Sequence, residues 1–224
     1  MSTMLKVQNN SPLDRYDWVP AQLASALQQT QSKRVADIGA GDGCMRAAIE
    51  AAGGEWFGFD LEPQLPEISA WDLDRSCPEP QTFGVVILMD VVEHLNNPWL
   101  AMQHVSEILE PGGFLILTTP NPLWSRSRIL SVLSGEPICF TPTDLELNHH
   151  VFTPWPHIID RLLQDSKLEL IRYDTLGPRT QWPGSPYNLR YLQRFLLAMG
   201  MRWLESRDAR SCGMGYGMMA RKKA

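Results

Sequence analysis

Asp37, Gly39, Gly41, Gly43, Asp60 and Asp72 are the residues of this chain whose types and spacing first suggest chemistry. The run Val35-Ala36-Asp37-Ile38-Gly39-Ala40-Gly41-Asp42-Gly43 places a carboxylate at the end of an apolar stretch and glycines at alternate positions after it. Glycine lets the backbone turn sharply and lets a ligand approach where a Cβ would intrude, and a helix starting just beyond offers free N–H groups at its positive end. A dinucleotide loop, G-x-G-x-x-G, needs a third glycine or alanine where this chain has Cys44. Asp37 would also repel a diphosphate, whereas it attracts a cationic ammonium. Asp60 ends the next apolar run, where a carboxylate can accept from both hydroxyls of a ribose. Trp71-Asp72-Leu73 adds a carboxylate for an amino-bearing base and an apolar side chain to pack on its ring. The expected ligand is a nucleoside with a positively charged end.

A second set of residues could move protons. His94 follows the apolar run Gly84–Met89 at the edge where open α/β sheets place their ligands, and it can act as a general base with Glu93 orienting it. Glu93-His94 could equally stabilise a turn or cap the helix that begins near Pro98. His149 and His150 lie in a loop, where either could take a proton from a hydroxyl or simply hydrogen-bond within that loop. No metal site is expected, because no third ligand stands at an obvious spacing.

The elements that must position these groups alternate. Apolar runs at 35–38, 56–60, 67–71, 84–89 and 114–119 read as strands, and 44–52 and 100–109 as helices between them. Pro98 suits a helix start, and Pro111-Gly112-Gly113 a stop. This order predicts βαβ units and a doubly wound, mostly parallel, seven-stranded α/β sheet, with the continuously apolar run 84–89 at mid-sheet. Beyond Pro120 the pattern loosens, with helices expected at 127–133, 156–164 and 187–204 and strands at 168–173 and 213–219. Residues 13–27 read as partly helical and able to close over the first strand. The expected organisation is one domain, with a ligand-binding core at 34–120, a lid-like insertion at 121–155 and a C-terminal helical insertion at 176–211.

The ordered motifs resemble the class I S-adenosylmethionine-dependent methyltransferase superfamily. Besides the glycine loop, Met89-Asp90-Val91-Val92-Glu93-His94-Leu95 and Leu109-Glu110-Pro111-Gly112-Gly113 match, and the likeness covers about residues 34 to 120. Glu93-His94-Leu95 and His150-Val151-Phe152-Thr153-Pro154-Trp155 resemble the branch that includes ubiquinone-biosynthesis O-methyltransferases. The resemblance implies a Rossmann-like fold and S-adenosyl-L-methionine as cofactor. It assigns Asp37 and the loop residues Gly39, Ala40, Gly41 and Gly43 to the methionine end, Asp60 to the ribose, and Asp72 with Leu73 to the adenine. Leu61 and Met89, beside those motifs, join the cofactor-binding set, and His94, His149 and His150 are the candidate catalytic residues. It also implies methyl transfer, at oxygen by family analogy, to a small-molecule, lipid-linked or glycan acceptor. A cofactor-binding but catalytically silent scaffold that regulates a partner stays open beside it.

Composition narrows the partners. The 224 residues are 44% hydrophobic and 20% charged, with a net charge of −5, which suits an ordinary globular domain and disfavours a broad nucleic-acid-binding face. Arg207, Arg210, Arg221, Lys222 and Lys223 leave an opening for an RNA or anionic-lipid contact, or form a solvated tail. The stretch Tyr191–Leu204 mixes large apolar residues with arginines and suits a core helix, a dimer contact or a peripheral membrane contact. Trp182, Pro183 and Tyr187 are candidates to line an apolar acceptor pocket. Cys44, Cys77, Cys139 and Cys212 show no paired spacing and read as reduced thiols. No secretory signal or membrane-length apolar run is visible, so a cytoplasmic location is expected.

Overall fold

The computed structural model describes residues 6–78, 81–184 and 189–223. Its strands are β1 (Asn9–Ser11), β2 (Arg34–Ile38), β3 (Glu55–Asp60), β4 (Ile68–Ala70), β5 (Phe83–Met89), β6 (Leu109–Pro120), β7 (Leu168–Leu176) and β8 (Gly215–Lys222). The helices are α1 (Arg15–Gln29), α2 (Arg46–Ala51), α3 (Pro98–Ile108), α4 (Ser125–Ser134), α5 (Pro142–Asn148), α6 (Pro156–Asp165) and α7 (Leu189–Arg207). One sheet holds all the strands in the order β1-β7-β8-β6-β5-β2-β3-β4. Pairing is parallel except at β8, which runs antiparallel to both β6 and β7. The seven expected strands are present, and a three-residue eighth, β1, pairs parallel with β7 at the edge.

The apolar strand runs work as expected of a sheet covered on both faces. Val85 and Ile87 of β5 join Phe114 and Ile116 of β6 in a core with α1 residues Trp18, Val19 and Leu23. Their neighbours Val86, Leu88, Leu115 and Leu117 join the opposite core with Met102 and Val105 of α3 and Ile159 and Leu163 of α6. A period of two thus splits each run between two cores. Full burial of one such side chain contributes about 1.5–3 kcal/mol.

Helix α1 docks chiefly on β5, β6 and β8 rather than over β2. Asp14 caps it by accepting from the backbone N–H groups of Tyr16 and Asp17. Trp18 fixes its angle, because the indole donates to the buried Asp174 of β7 at 2.9 Å. The Trp18 ring lies so close over Gly217 that a Cβ there would come within 2.5 Å of it. Of the expected 187–204 helix, positions 187 and 188 lie outside the described residues, and the helix runs from Leu189 on to Arg207. Helix α5 and a 3₁₀ turn at Val92–His94 are additional to the sequence pattern. The turn Pro111-Gly112-Gly113 sits inside β6, since the chain enters that strand as soon as α3 ends.

Candidate active site

β2 leads outward through β3 to β4, and the chain then crosses to β5 on the other side of β2. The carboxyl ends of β2 and β5 therefore diverge in direction of winding, and a crevice opens there. Gly39 lies at that point with φ +75°, and a Cβ on it would meet Val91 at 2.4 Å, so only glycine lets the two strand ends approach this closely.

The glycine loop is tied down through its own amides. Gly39 and Ala40 donate to the Phe59 carbonyl at 2.8 and 3.0 Å, and Gly41 donates to Asp60 Oδ2 at 2.9 Å. These N–H groups anchor the loop on β3 instead of standing free. The expected helix 44–52 is also shorter, six residues from Arg46 with no side-chain cap. The loop's offer to a ligand is space: Gly41, at φ +55°, has nothing within 4 Å of its Cβ position.

Gly39, Asp60, Leu61, Asp72 and Leu73 line one cavity of about 260 Å³, together with Trp71, Asp74, Asp90, Val91 and His94. Asp60 Oδ1 also caps the Glu62 N–H, and Asp72 Oδ1 the Asp74 N–H. Both carboxylates keep acceptor capacity, since each oxygen can accept more than once. The fit to an S-adenosyl group is good: the Asp60 and Asp72 carboxylates and the apolar Leu61, Trp71 and Leu73 face a cavity at a switch point, bounded at the loop by Gly39, which has no Cβ. Five predicted residues stand off that wall, Gly41 among them. Asp37 is 3% exposed beneath the loop and accepts from the Trp56 indole at 3.0 Å. Burial pushes its carboxyl up to about 6, helped by nearby Asp60 and opposed by the Trp56 hydrogen bond. Ala40 is buried, and a Cβ on Gly43 would touch Leu65 and Trp56. Met89 is turned by strand alternation toward the α1 core and lines neither cavity.

A second cavity, of about 740 Å³, adjoins the first through Asp90 and His94. Its wall carries Glu93 and His94 from the 3₁₀ turn, Thr118 to Pro120 from β6, Trp124 before α4, Cys139, Asn148 and His150 from the lid-like segment, and Pro178 and Met214. Asp90 adopts φ +55°, a strained value for a residue with a Cβ. It is held there by Thr118 Oγ1, which donates at 2.8 Å, and by an ion pair with Arg15 at 2.8 Å.

His94 and His150 meet edge to face with ring centroids 4.9 Å apart. The Cys139 carbonyl lies 2.6 Å from His150 Nδ1. A carbonyl only accepts, so Nδ1 carries a proton and, in the neutral ring, Nε2 keeps its lone pair. Burial, followed by the neighbouring His150, lowers the pKa of His94 and keeps it neutral near pH 7, against backbone hydrogen bonds to His149 and Asn148. Glu93 is 1% exposed and accepts from Thr119 Oγ1 at 2.8 Å. Burial first, and the charge of Asp90 second, push its carboxyl up to about 8. It does not cap α3, whose N-cap is Asn97.

His149 enters only through its backbone, because its exposed side chain belongs to a residue at φ +53° closing α5. Glu93, His94 and His150 present one candidate ligand atom each within 4.8 Å of one another. Folding thus supplies the third group that sequence spacing did not show. Arg15, Trp124, Cys139, Pro178 and Met214 escaped sequence reasoning, having no motif around them. Trp182 instead stacks on Phe195 under Arg202, outside the cavity wall, and Tyr187 lies outside the described residues. Three of the five basic C-terminal residues are engaged: Arg210 with Asp208, Arg221 with the Gly112 carbonyl, and Lys222 with the Ser106 and Leu109 carbonyls. No disulfide joins the four cysteines.

A doubly wound sheet with a crevice lined by Asp60 and Asp72 at its switch point, and a cavity holding two histidines beside it, defines the class. A family model for the methyltransferase domain matches residues 15–205. The chain belongs to that family, and its fold is the one shared with S-adenosylmethionine-dependent methyltransferases of known structure. It is 27% identical over 122 residues to the ubiquinone biosynthesis O-methyltransferase of Xanthomonas campestris pv. campestris, covering 48% of this chain and 49% of that one. The chain therefore spans about half the length of that relative. The enzyme of the same name from Leptothrix cholodnii is 25% identical over 195 residues, 74% of this chain and 80% of its own. The crystal structure of an S-adenosylmethionine-dependent methyltransferase from Archaeoglobus fulgidus superposes with a TM-score of 0.62 at 17% identity, covering 92% of this chain and 94% of that one.

Proposed function

We propose that the protein transfers a methyl group to a hydroxyl oxygen of an acceptor held in the larger cavity. The observation that carries this reading is the junction: the two cavities share Asp90 and His94, so the base candidate stands where cofactor and acceptor would meet. When bound, the cofactor supplies an already activated methyl group, so the chain need only place an acceptor atom in line with it. Asp60 and Asp72 hold the nucleoside, Leu61 and Leu73 pack on it, and Asp37 acts from beneath the loop as a buried negative charge drawing the cationic end.

On the acceptor side, His94 is neutral and able to take the hydroxyl proton, and His150 Nε2 is the second acceptor in reach of its ring. Glu93, protonated at neutral pH, keeps negative charge away from the transferring centre and holds Thr119 in the wall. Pro120, Trp124, Leu176, Pro178 and Met214 make the cavity largely apolar, which suits a hydroxylated small molecule or the ring end of a lipid-linked or glycan acceptor. Two distant relatives named as ubiquinone biosynthesis O-methyltransferases support oxygen as the acceptor atom.

The test is a calorimetric titration with S-adenosylmethionine and S-adenosylhomocysteine, with Asp60→Ala and Gly41→Trp as controls, followed by a mass-spectrometric screen of phenolic, catecholic and lipid-linked acceptors. Binding lost in Gly41→Trp and weakened in Asp60→Ala, and a product 14 Da heavier at oxygen, are expected. Binding without transfer to any acceptor would favour the silent scaffold. Turnover abolished by a chelator and restored by a divalent cation would recast Glu93, His94 and His150 as ligands.

A further inference from the structure

Helix α7 exposes Leu189, Leu192, Leu196, Met199 and Trp203, the last 60% accessible. Their spacing of three and four places all five on one face. The opposite face is the one that packs, through Ala198, Met201 and Glu205, with Ile129 of α4 against Gly200. A stripe of large apolar side chains running most of a long helix in water marks a surface made for contact.

Charge identifies the partner. The helix carries Arg190, Arg194, Arg202 and Arg207 against one acid, Glu205, which is buried and accepts from Ser125 Oγ at 2.9 Å and from Thr180. The whole chain nevertheless has a net charge of −5. Arg202 and Arg207 fall on the flanks of the stripe, and each lies over an exposed tryptophan, Trp182 and Trp203 respectively. Arginines and tryptophans bordering an apolar face match the level of lipid headgroups. A second copy of this chain would bring two positively charged helices together. No helix among the described residues is long and apolar enough to cross a membrane.

We infer that α7 lies in the plane of an anionic lipid bilayer surface, with Leu189, Leu192, Leu196, Met199 and Trp203 among the acyl chains and Arg202 and Arg207 at the headgroup phosphates. The helix also bears on the larger cavity. Glu205 is tied to Ser125 and Thr180, which neighbour the wall residues Trp124 and Pro178. Docking therefore orients the mouth of that cavity relative to the bilayer, whatever acceptor enters.

Flotation with vesicles of phosphatidylcholine alone, and of phosphatidylcholine mixed with phosphatidylglycerol, tests this on the full chain. Wild-type protein is expected to float with the anionic vesicles, to bind neutral ones at least about tenfold more weakly, and to be released by high salt. Leu196→Glu/Met199→Glu should abolish flotation, and Arg202→Gln/Arg207→Gln should weaken binding to anionic vesicles alone. Cofactor binding by calorimetry, unchanged in both double variants, shows that they fold. No flotation of wild type, or flotation indifferent to Leu196→Glu/Met199→Glu, overturns the inference. Sedimentation showing a dimer that the same variant dissolves, without vesicle binding, would assign the face to a second copy instead. None of these readouts requires methyl transfer.

Discussion

The two halves of the site are built in different ways. The cofactor half draws its wall from the ends of consecutive strands, β2 with Gly39, β3 with Asp60 and β4 with Trp71 to Leu73. The acceptor half draws on separated stretches: Arg15 of α1, Glu93 and His94 after β5, Thr118 to Trp124, Cys139 to His150, Leu176 to Pro178, and Met214. A strand end is fixed by the sheet it belongs to, whereas the acceptor wall depends on contacts between segments far apart in sequence. The proposed cofactor half is thus set by the sheet, and the proposed acceptor half by the packing of separate segments around it.

Changes aimed at the acceptor half should leave the cofactor half intact. His94→Gln and His150→Gln are each expected to lower kcat for a hydroxyl acceptor, by about 10²–10⁴-fold for whichever ring takes the proton. For His150→Gln, which changes the wall of the larger cavity alone, calorimetric affinity for S-adenosylmethionine should stay within about twofold of wild type, because general-base catalysis is separate from cofactor affinity. A matching fall in cofactor affinity would break the comparison. The reverse case is Asp60→Ala, which removes a charged acceptor worth about 1.5–3 kcal/mol and should weaken cofactor binding by about 10–100-fold. Because Asp60 also anchors the Gly41 amide, Asp60→Asn serves as the milder companion and should fall between the two.

Two buried carboxyls give pH-dependent tests, one in each half. Unfolded Glu93 loses its proton near its ordinary 4.5, while the folded protein retains it up to about 8. Between those values the unfolded chain binds fewer protons, so this group makes stability fall as pH rises. Denaturation midpoints measured near pH 5 and pH 8 should reveal this loss in wild type, and Glu93→Gln should reduce it by on the order of 1–2 kcal/mol. An unchanged slope would show that Glu93 is already ionised at neutral pH. Asp37 gives the smallest effect. Its carboxyl protonates as pH falls through about 6, removing the charge that attracts a cationic ligand. Titrations below pH 6 should then show affinity falling about threefold, and Asp37→Asn should be flat across that range.

The same contrast explains what could be read before folding. Val85–Met89 and Phe114–Thr119 announce buried strands because both faces need apolar residues, and the glycines of 39–43 announce a turn because few other residues permit it. Asp60 and Asp72 follow from their places at strand ends. Arg15 gives no such signal: its meaning comes from Asp90, brought to it only when α1 docks across β5 and β6. His149 and His150 looked equivalent in sequence, and the left-handed turn at His149 separates them, sending one ring to solvent and the other against His94. The amides of Gly39 to Gly41 carry no mark of their partners in the sequence. Their partners, Phe59 and Asp60, stand on the next strand.

The place of β8 sets an order of construction. This strand pairs with β6 on one side and β7 on the other, yet it is synthesised after every other described strand. Until Gly215–Lys222 emerges, β6 is an open edge, and the β1–β7 pair has no place in the sheet. A growing chain can complete its nucleoside crevice while the floor of the acceptor cavity is still missing. During that interval the exposed edge of β6, six successive apolar or threonine residues from Phe114 to Thr119, is open to pairing with another nascent chain. Slow translation of the final segment would lengthen that exposure, and faster release would shorten it.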